Sequence, residues 1–255
     1  MDDKGVERQR YEERARLALV AAGQQQQREL GAAGIAAELR APYTFYEHVI
    51  SERVSPSHDV LELGAGTGFH TGALLRTGAR VTASDISPSS LAVLESSLAG
   101  PSQGRLQTRV ADIEALPFEP GSFDVVTCAG SLSYGDPKLV DAEILRVLRP
   151  GGAFICVDSL NHNPVYRLNR WINYRRGART LSTLQQMPDT RRIDGLGRHF
   201  NSVNVRYFGS ITWAMPLLVR VLGLSGASRL SDSFDDFIGV KRSAFKFVLT
   251  AEGKL

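Results

Sequence analysis

The chain has 255 residues, of which 43% are hydrophobic and 22% are charged, and its formal net charge is +3 at pH 7. These values are ordinary for a globular protein and fit one large α/β domain, or one domain with a cap. The small net charge gives no indication of nucleic-acid binding. Because no run of 18 apolar residues occurs in the sequence, no transmembrane segment is expected.

The cysteines and the first residues indicate the compartment. Cys128 and Cys156 both lie in apolar, strand-like runs, which is typical of buried thiols in a reducing environment. The opening residues 1–4 (MDDK) lead into no apolar segment of the kind that a secretory signal needs. We therefore expect a cytoplasmic protein.

The first part of the chain predicts a helical cap. Residues 5–40 are rich in Glu, Arg, Gln, Ala and Leu, which favour helices, and Gly23 with the glutamines after it indicates a break between two of them. A third, short helix is expected around Tyr43 and Tyr46. The expected organisation is a helical cap over 1–54, a core over 55–160, an arginine-rich insertion or lid over 161–202, and C-terminal strands with a helix over 203–255.

The most informative stretch is residues 60–68 (VLELGAGTG), an apolar run that ends in an acid and is followed by three alternating glycines. A buried parallel strand is such a run, and glycine directly after it allows a tight turn and a close approach of a ligand. Strand, glycine turn and helix form a nucleotide-binding arrangement. The dinucleotide fingerprint is G-x-G-x-x-G, and the different spacing here disfavours an NAD-dependent oxidoreductase.

Strands and helices alternate after this turn. A second strand over 79–85 ends in Asp85, at a distance from the glycine turn where an acid can accept hydrogen bonds from both ribose hydroxyls. Ser87 is expected to cap the next helix, with Pro88 at its first position. Further strands are predicted over 105–110, 122–129, 153–158, 203–208 and 244–250, and helices over 69–76, 88–98 and 138–148.

Five segments resemble the motifs of one family. The stretch from Glu62 to Gly68 resembles motif I, E/D-x-G-x-G-x-G, of the class I S-adenosylmethionine (SAM)-dependent methyltransferases. Residues 85–87 (DIS), 111–118 (ADIEALPF), 122–129 and 148–152 (LRPGG) resemble the later motifs in the family order. The resemblance covers residues 60–158. It implies an α/β fold with a seven-stranded, mostly parallel Rossmann-like sheet in the order 3-2-1-4-5-7-6, with helices on both faces.

The resemblance also implies SAM as the cofactor and assigns its contacts. The backbone near Gly64 and Gly66 would approach the methionine part, with the loop ordered by Glu62, and the Ala129 carbonyl would bind the amino group. Asp85 would hold the ribose, and Asp112 with its neighbour would meet the adenine. The expected cofactor-binding residues are Glu62, Gly64, Ala65, Gly66, Gly68, Asp85, Ile86, Asp112, Ile113 and Ala129.

The acceptor side is less well marked. After strand 4 the chain lacks the N/D-P-P-Y/F motif with which DNA and protein amide methyltransferases grip their substrates, so a small molecule such as a sugar or specialised metabolite is expected, and no nucleic acid. A hydroxyl acceptor would benefit from a base that titrates near neutrality. Tyr134 and His162 follow strands 4 and 5 and are the expected catalytic residues, with simple loop residues as the alternative; His70 is expected to pack or to cap a helix. No metal is expected, because no His/Asp/Glu cluster has ligand spacing.

Residues 161–200 hold eight arginines, no lysine and two aspartates, and therefore carry a net charge of +6. Arginine forks suit phosphate and carboxylate, so the segment is interpreted either as a lid over an anionic acceptor or as a solvated basic insertion. In the resembling family a leading helical segment covers the pocket, so the cap aromatics either line it or only pack the cap. The expected acceptor-binding residues are Tyr43, Tyr46, Arg175, Arg176 and His199.

The most apolar stretch, residues 211–222, is too short to span a bilayer. It predicts packing in the core or in a homodimer, with contact to a greasy acceptor as the alternative. The leading hypothesis is a SAM-dependent methyltransferase that acts on oxygen or nitrogen of a small molecule. The alternative is a protein of the same fold, cyclase-like or a binding protein, that holds SAM without methyl transfer.

Overall fold

A computed structural model describes residues 3–22, 32, 35, 37–102, 104–176, 180–210, 218–220, 223, 226, 230, 233 and 243–255. Most of the second helix predicted between Gly23 and residue 40 lies outside these ranges. Most of the apolar stretch 211–222 lies outside them as well.

A seven-stranded sheet forms the centre of the fold, in the order β3-β2-β1-β4-β5-β7-β6. Its strands are β1 Asp59–Leu63, β2 Arg80–Asp85, β3 Leu106–Val110, β4 Phe123–Ala129, β5 Leu148–Ser159, β6 Phe200–Phe208 and β7 Lys246–Lys254. The first five pair in parallel, whereas β7 runs antiparallel to both β5 and β6. The predicted fold class and strand order are confirmed.

The helices lie around this sheet. They are α1 Asp3–Ala22, α2 Ala37–Arg53, α3 Thr71–Arg76, α4 Pro88–Ser102, α5 Pro137–Val147, α6 Pro164–Arg175, α7 Leu181–Gln185 and α8 Thr190–Gly197, with a 3₁₀ helix over Leu132–Tyr134. The Ser87 hydroxyl accepts a hydrogen bond from the Ser90 amide at 3.1 Å, which confirms the predicted cap of α4. Over the described ranges, none of these helices is long and apolar enough to cross a bilayer.

Two apolar layers cover the two faces of the sheet. Because side chains alternate along a strand, Leu61 and Phe154 pack on the face covered by α5 and α8, while Val60 and Ile155 pack on the face covered by α2, α3 and α4. Cys128 and Cys156 are free thiols buried in the sheet, as predicted. With both faces covered, the carboxyl edge of the parallel strands is left for a ligand.

Two strands begin earlier than predicted. β5 begins at Leu148 rather than near residue 153, because Leu148 pairs with Phe123 across an irregularity in the β4 register. β6 begins at Phe200 rather than near residue 203, so the segment between β5 and β6 ends sooner than expected. That segment folds into α6, α7 and α8.

Candidate active site

The glycine turn leaves β1 at the carboxyl edge, where the strand order reverses between β1 and β4. Gly64, Gly66 and Gly68 have φ angles of 64°, 55° and 84°, a backbone region that other residues rarely adopt. A Cβ at Gly64 would lie 2.5 Å from the Ser131 Cβ, and one at Gly68 would lie 2.8 Å from the Leu94 Cγ. A Cβ at Gly66 would meet no atom within 4 Å. Gly64 and Gly68 are therefore required by packing, whereas Gly66 faces open space.

A second glycine faces open space on the neighbouring strand. Gly130 follows Ala129 at the end of β4, has φ of 80°, and a Cβ there would also meet no atom within 4 Å. The Gly130 amide donates to the Val157 carbonyl at 2.9 Å, so its backbone is held by β5. Two rigid turns without side chains thus lie at the ends of β1 and β4, where a ligand can approach the backbone closely.

Asp85, at the end of β2, braces the glycine turn. Its carboxylate accepts hydrogen bonds from the Gly66 amide at 2.8 Å and from the Ser87 amide at 2.9 Å. Burial raises the pKa of Asp85, the two amides oppose that rise, and the nearby Glu12 carboxylate adds to it. The residue predicted to hold the ribose therefore also positions the loop, and the ribose contact itself stays a prediction.

Glu62 lies directly beneath the turn. Its side chain is 2% exposed and accepts a hydrogen bond from the Thr71 hydroxyl at 2.6 Å, which ties β1 to the first residue of α3. Burial raises the pKa of Glu62 to about 7; the Thr71 bond opposes this rise, and the charge of Asp85 adds to it. The hydrogen bond joins the two elements on either side of the glycine turn, and the loop-ordering role of Glu62 stays a prediction.

Helix α1 crosses the side of the site where adenine was expected, as the leading helical segment of the resembling family does, but the sequence did not indicate which residues it contacts there. Lys4 forms ion pairs with Asp112, at 2.7 Å, and with Glu114. Further along the helix, Glu12 accepts a hydrogen bond from the Ser89 hydroxyl on α4. Asp112 is thus held by α1, and its contact with a base stays a prediction, as do those of the half-buried residues Ile86 and Ile113.

An aromatic cluster joins α2 to the glycine turn. The Tyr43 ring stacks on the His70 ring at a centroid distance of 5.3 Å, and the Tyr46 ring meets His70 edge-on at 5.4 Å. His70 Nδ1 lies 2.9 Å from a Glu47 carboxylate oxygen, and the His70 side chain makes no helix-cap bond, so it packs rather than caps. Tyr46 is fully buried and packs the cap onto the sheet, whereas Tyr43 is half-buried.

The expected catalytic residues lie on the segments predicted for them. Tyr134 ends the 3₁₀ helix after β4, and His162 lies in the turn between β5 and α6; both are half-buried. His199 is exposed in the turn between α8 and β6. Their part in proton transfer or acceptor binding stays a prediction.

The arginine-rich segment divides into outward and inward side chains. Arg175 and Arg176 are exposed at the end of α6, where the Arg175 guanidinium lies 5.6 Å from the Trp171 ring centroid. Arg170 is buried and donates to the Leu160 carbonyl at 3.0 Å. Arg192 forms an ion pair with Asp141 at 2.8 Å. Arg170 therefore holds the segment to the residue after β5, and Arg192 holds it to α5, whereas acceptor contact by Arg175 or Arg176 stays a prediction.

One buried group of described residues has metal-ligand spacing. The ligand atoms of Cys128, Cys156 and Asp158 all lie within 4.8 Å of one another. Burial raises the pKa of the Cys156 thiol well above its usual value, and the Asp158 carboxylate accepts from the Leu132 amide at 3.0 Å and the Ser159 amide at 2.6 Å. A buried Cys156 thiol whose ionisation is disfavoured and a carboxylate satisfied by two amides fit a packed core, so no metal is assigned here.

Comparisons with known proteins agree with the geometry. Residues 61–156 match the family described as "Methyltransferase domain". The demethylmenaquinone methyltransferase of Clavibacter sepedonicus is 41% identical over 110 residues, which cover 42% of this chain and 44% of that protein. The ubiquinone biosynthesis O-methyltransferase of Xanthomonas campestris pv. campestris is 35% identical over 125 residues, covering 46% and 49% respectively. The match therefore spans under half the length of these relatives.

The fold has solved counterparts. The geranyl diphosphate C-methyltransferase of Streptomyces coelicolor A3(2), solved with Mg²⁺, geranyl diphosphate and S-adenosyl-L-homocysteine, superposes with a TM-score of 0.59 at 15% identity. The superposition covers 84% of this chain and 79% of that one. The strand order, the register of the glycine turn and the matched residues lead to one conclusion. Residues 61–156 of the chain match the methyltransferase-domain family, and the sheet that they build has the class I, Rossmann-like methyltransferase fold.

Proposed function

We propose that the chain transfers a methyl group from SAM to oxygen or nitrogen of a small-molecule acceptor. The observation that carries this proposal is the pair of left-handed glycines, Gly66 and Gly130, which face open space from the ends of β1 and β4. In an open α/β sheet, ligands bind beyond the carboxyl ends of the strands at this reversal of strand order. Asp85 fixes one of the two turns through the Gly66 amide.

The residues present fit the cofactor. Bound SAM supplies a methyl group on a positively charged sulfur. The bare backbone at Gly66 and Gly130 leaves room for its methionine part, and the Ala129 carbonyl is assigned to its amino group. Asp85 offers a carboxylate to the ribose, while Asp112 and Ile113 are assigned to the adenine. The contribution of these residues is positioning, because holding methyl donor and acceptor in line removes much of the entropic barrier.

We infer that the acceptor is a hydroxylated ring of the quinol type, in preference to a sugar. Two of the relatives are named for ubiquinone and demethylmenaquinone. The half-buried Tyr43 ring, held against His70 beside the glycine turn, offers an aromatic edge that a ring-shaped acceptor can contact. A hydroxyl acceptor must lose its proton as the methyl arrives, and His162 and Tyr134 are assigned that task.

A transfer assay with methyl-labelled SAM tests this function. The protein is incubated with a hydroxylated benzoquinol, a hydroxylated naphthoquinol, a sugar and an aliphatic amine as separate acceptors. We expect label on a quinol hydroxyl, because the proposed site pairs an aromatic wall with groups able to take a proton. Label on the sugar or the amine alone would remove the quinol assignment. SAM binding without transfer to any acceptor would favour a binding or cyclase-like role instead.

A further inference from the structure

A buried lysine lies beside the acceptor side of this edge. Lys246 is the first residue of β7 and pairs with Ser159 at the carboxyl end of β5. The residue is only 8% exposed. Its ammonium nitrogen lies 3.4 Å from the Ser159 hydroxyl oxygen, 4.8 Å from the Tyr43 ring centroid and 5.6 Å from the Phe245 ring centroid.

The described groups that contact the Lys246 ammonium are a hydroxyl and two aromatic rings, and none of them carries a negative charge. Among the residues that the structure describes, no carboxylate oxygen lies within the 4.0 Å of an ion pair with Lys246. The charge of Lys246 does lower the pKa of Asp158 against the larger, opposing effect of burial. The Asp158 carboxylate, however, is already bonded to the backbone amides of Leu132 and Ser159. A buried ammonium normally needs a close counter-ion, and among the described residues Lys246 has only the charge of Asp158 near it.

A second cation lies against the same ring. The guanidinium of Arg170 is 5.7 Å from the Phe245 ring centroid, and Arg170 is only 6% exposed. Phe245 therefore has two buried cations close to it, one from β7 and one from α6. Positive charge concentrated beside aromatic faces favours a planar, negatively charged ligand.

Lys246 also lies close to the residues that are proposed to hold the methyl donor. The Tyr43 ring that meets Lys246 also stacks on His70, which follows the glycine turn directly. Ser159 lies two residues beyond Val157, the β5 partner of Ala129. One aromatic ring therefore separates Lys246 from the residues around the proposed methyl donor, on the side where the acceptor must lie.

We propose that Lys246 binds a carboxylate on a ring-shaped acceptor, with the Tyr43 and Phe245 rings beside the acceptor ring. The ammonium and the Ser159 hydroxyl supply two donors, which match the two oxygens of a carboxylate. This inference rests on the proposed function and names its acceptor class. It also assigns anion recognition to a buried lysine rather than to the exposed Arg175 and Arg176.

Binding of two matched probes tests the lysine. The probes are 3,4-dihydroxybenzoate and its neutral analogue 3,4-dihydroxybenzamide, each titrated calorimetrically into protein saturated with S-adenosylhomocysteine. We expect the wild-type protein to bind the carboxylate at least about tenfold more tightly, and Lys246→Met to abolish this preference. Lys254→Met is the control, because Lys254 lies at the other end of β7 and donates to the Leu148 carbonyl at 2.8 Å.

A stability measurement accompanies the titrations. Methionine keeps the length of the lysine side chain and removes its buried charge, so Lys246→Met should melt roughly 2–4 °C above the wild type. Unchanged binding of S-adenosylhomocysteine shows that Lys246→Met retains the fold. If Lys246→Met does not fold, the titrations are repeated with Lys246→Gln.

Each outcome decides the proposal. Equal affinities of the wild type for the two probes, a preference that persists without Lys246, or no binding of the carboxylate probe at millimolar concentration would overturn it. Methyl transfer to the probes is recorded separately. Transfer without a carboxylate preference would keep the proposed function and remove the lysine site. A carboxylate preference that depends on Lys246, without transfer to these probes or to any acceptor of the labelled-SAM assay, would keep the lysine site and remove the proposed function.

Discussion

Among the described residues, three carboxyl groups are buried at the carboxyl edge of the sheet, and they are held by two kinds of donor. Glu62 accepts from a threonine hydroxyl, whereas Asp85 and Asp158 accept from backbone amides. Burial raises the pKa of all three above their usual values, because the charged form loses its hydration. The ionised form of these carboxyl groups therefore lowers the free energy of unfolding at neutral pH.

Glu62 makes that cost measurable. Its pKa rises from 4.5 in the unfolded chain to about 7 in the folded one, so the folded state holds the extra proton between these values. The stability that the protonated group contributes is fully present below pH 4.5 and is lost as the pH rises through 7. Glu62→Gln carries no charge at position 62 at any pH. We therefore expect its free energy of unfolding to rise, relative to that of the wild type, by about 3 kcal/mol between pH 4.5 and 8.

Urea unfolding at a series of pH values measures this difference. If the difference in free energy of unfolding between Glu62→Gln and wild type stays constant from pH 4.5 to 8, Glu62 titrates as it does in the unfolded chain. A gap that narrows as the pH rises would mean that the folded protein stabilises the carboxylate, contrary to its burial.

At the scale of elements, helix α1 connects two parts of the site that are far apart in sequence. Its Lys4 meets Asp112 and Glu114 in the loop after β3, and its Glu7 accepts hydrogen bonds from Thr180 and Thr183 at the start of α7. The same helix therefore contacts the cofactor side and the segment that follows β5. Ion pairs with this degree of exposure contribute little stability, so the Lys4 pairs position α1 more than they stabilise it.

The helices between β5 and β6 are attached more firmly, through Arg192. Its guanidinium pairs with Asp141 of α5 and donates to the Leu132 carbonyl at 2.9 Å, and its side chain is 9% exposed. Arg192→Met would leave the largely buried Asp141 without its partner, so we expect a loss of about 3 kcal/mol in the free energy of unfolding. Arg191→Met, at an exposed neighbouring position, should change that free energy by less than about 0.5 kcal/mol.

Chemical denaturation of the two variants under identical conditions provides the comparison. Equal stabilities would show that the Arg192–Asp141 pair contributes no more than a surface charge. They would also show that α8 behaves as a solvated insertion and is not anchored to α5 through Arg192.

At the scale of the whole molecule, the features that were predictable from sequence depend on local signals. Local residues mark where several elements begin or end: the apolar run before Glu62, the acid at Asp85 and the proline after Ser87. The order of the strands in the sheet came from the family resemblance. Lys4 and Asp112 are 108 residues apart, and nothing local to either residue indicates their contact. Lys246 and Arg192 likewise read as ordinary charged residues, because only the tertiary fold buries them.

The central claim is that the open edge between β1 and β4 holds SAM, and one titration tests it directly. S-adenosylhomocysteine and NAD are each titrated calorimetrically into the wild-type protein, Gly66→Ala and Gly151→Ala. Gly66 and Gly151 both have positive φ, at 55° and 79°, and a Cβ at either would meet no atom within 4 Å. Both variants therefore carry the same kind of backbone strain, of about 1–2 kcal/mol, while only the first places a methyl group in the proposed site.

We predict that the wild type and Gly151→Ala bind S-adenosylhomocysteine in preference to NAD, and that Gly66→Ala loses at least about tenfold in that affinity. Preferential binding of NAD by the wild type, or equal affinities of the two glycine variants for S-adenosylhomocysteine, would contradict the account.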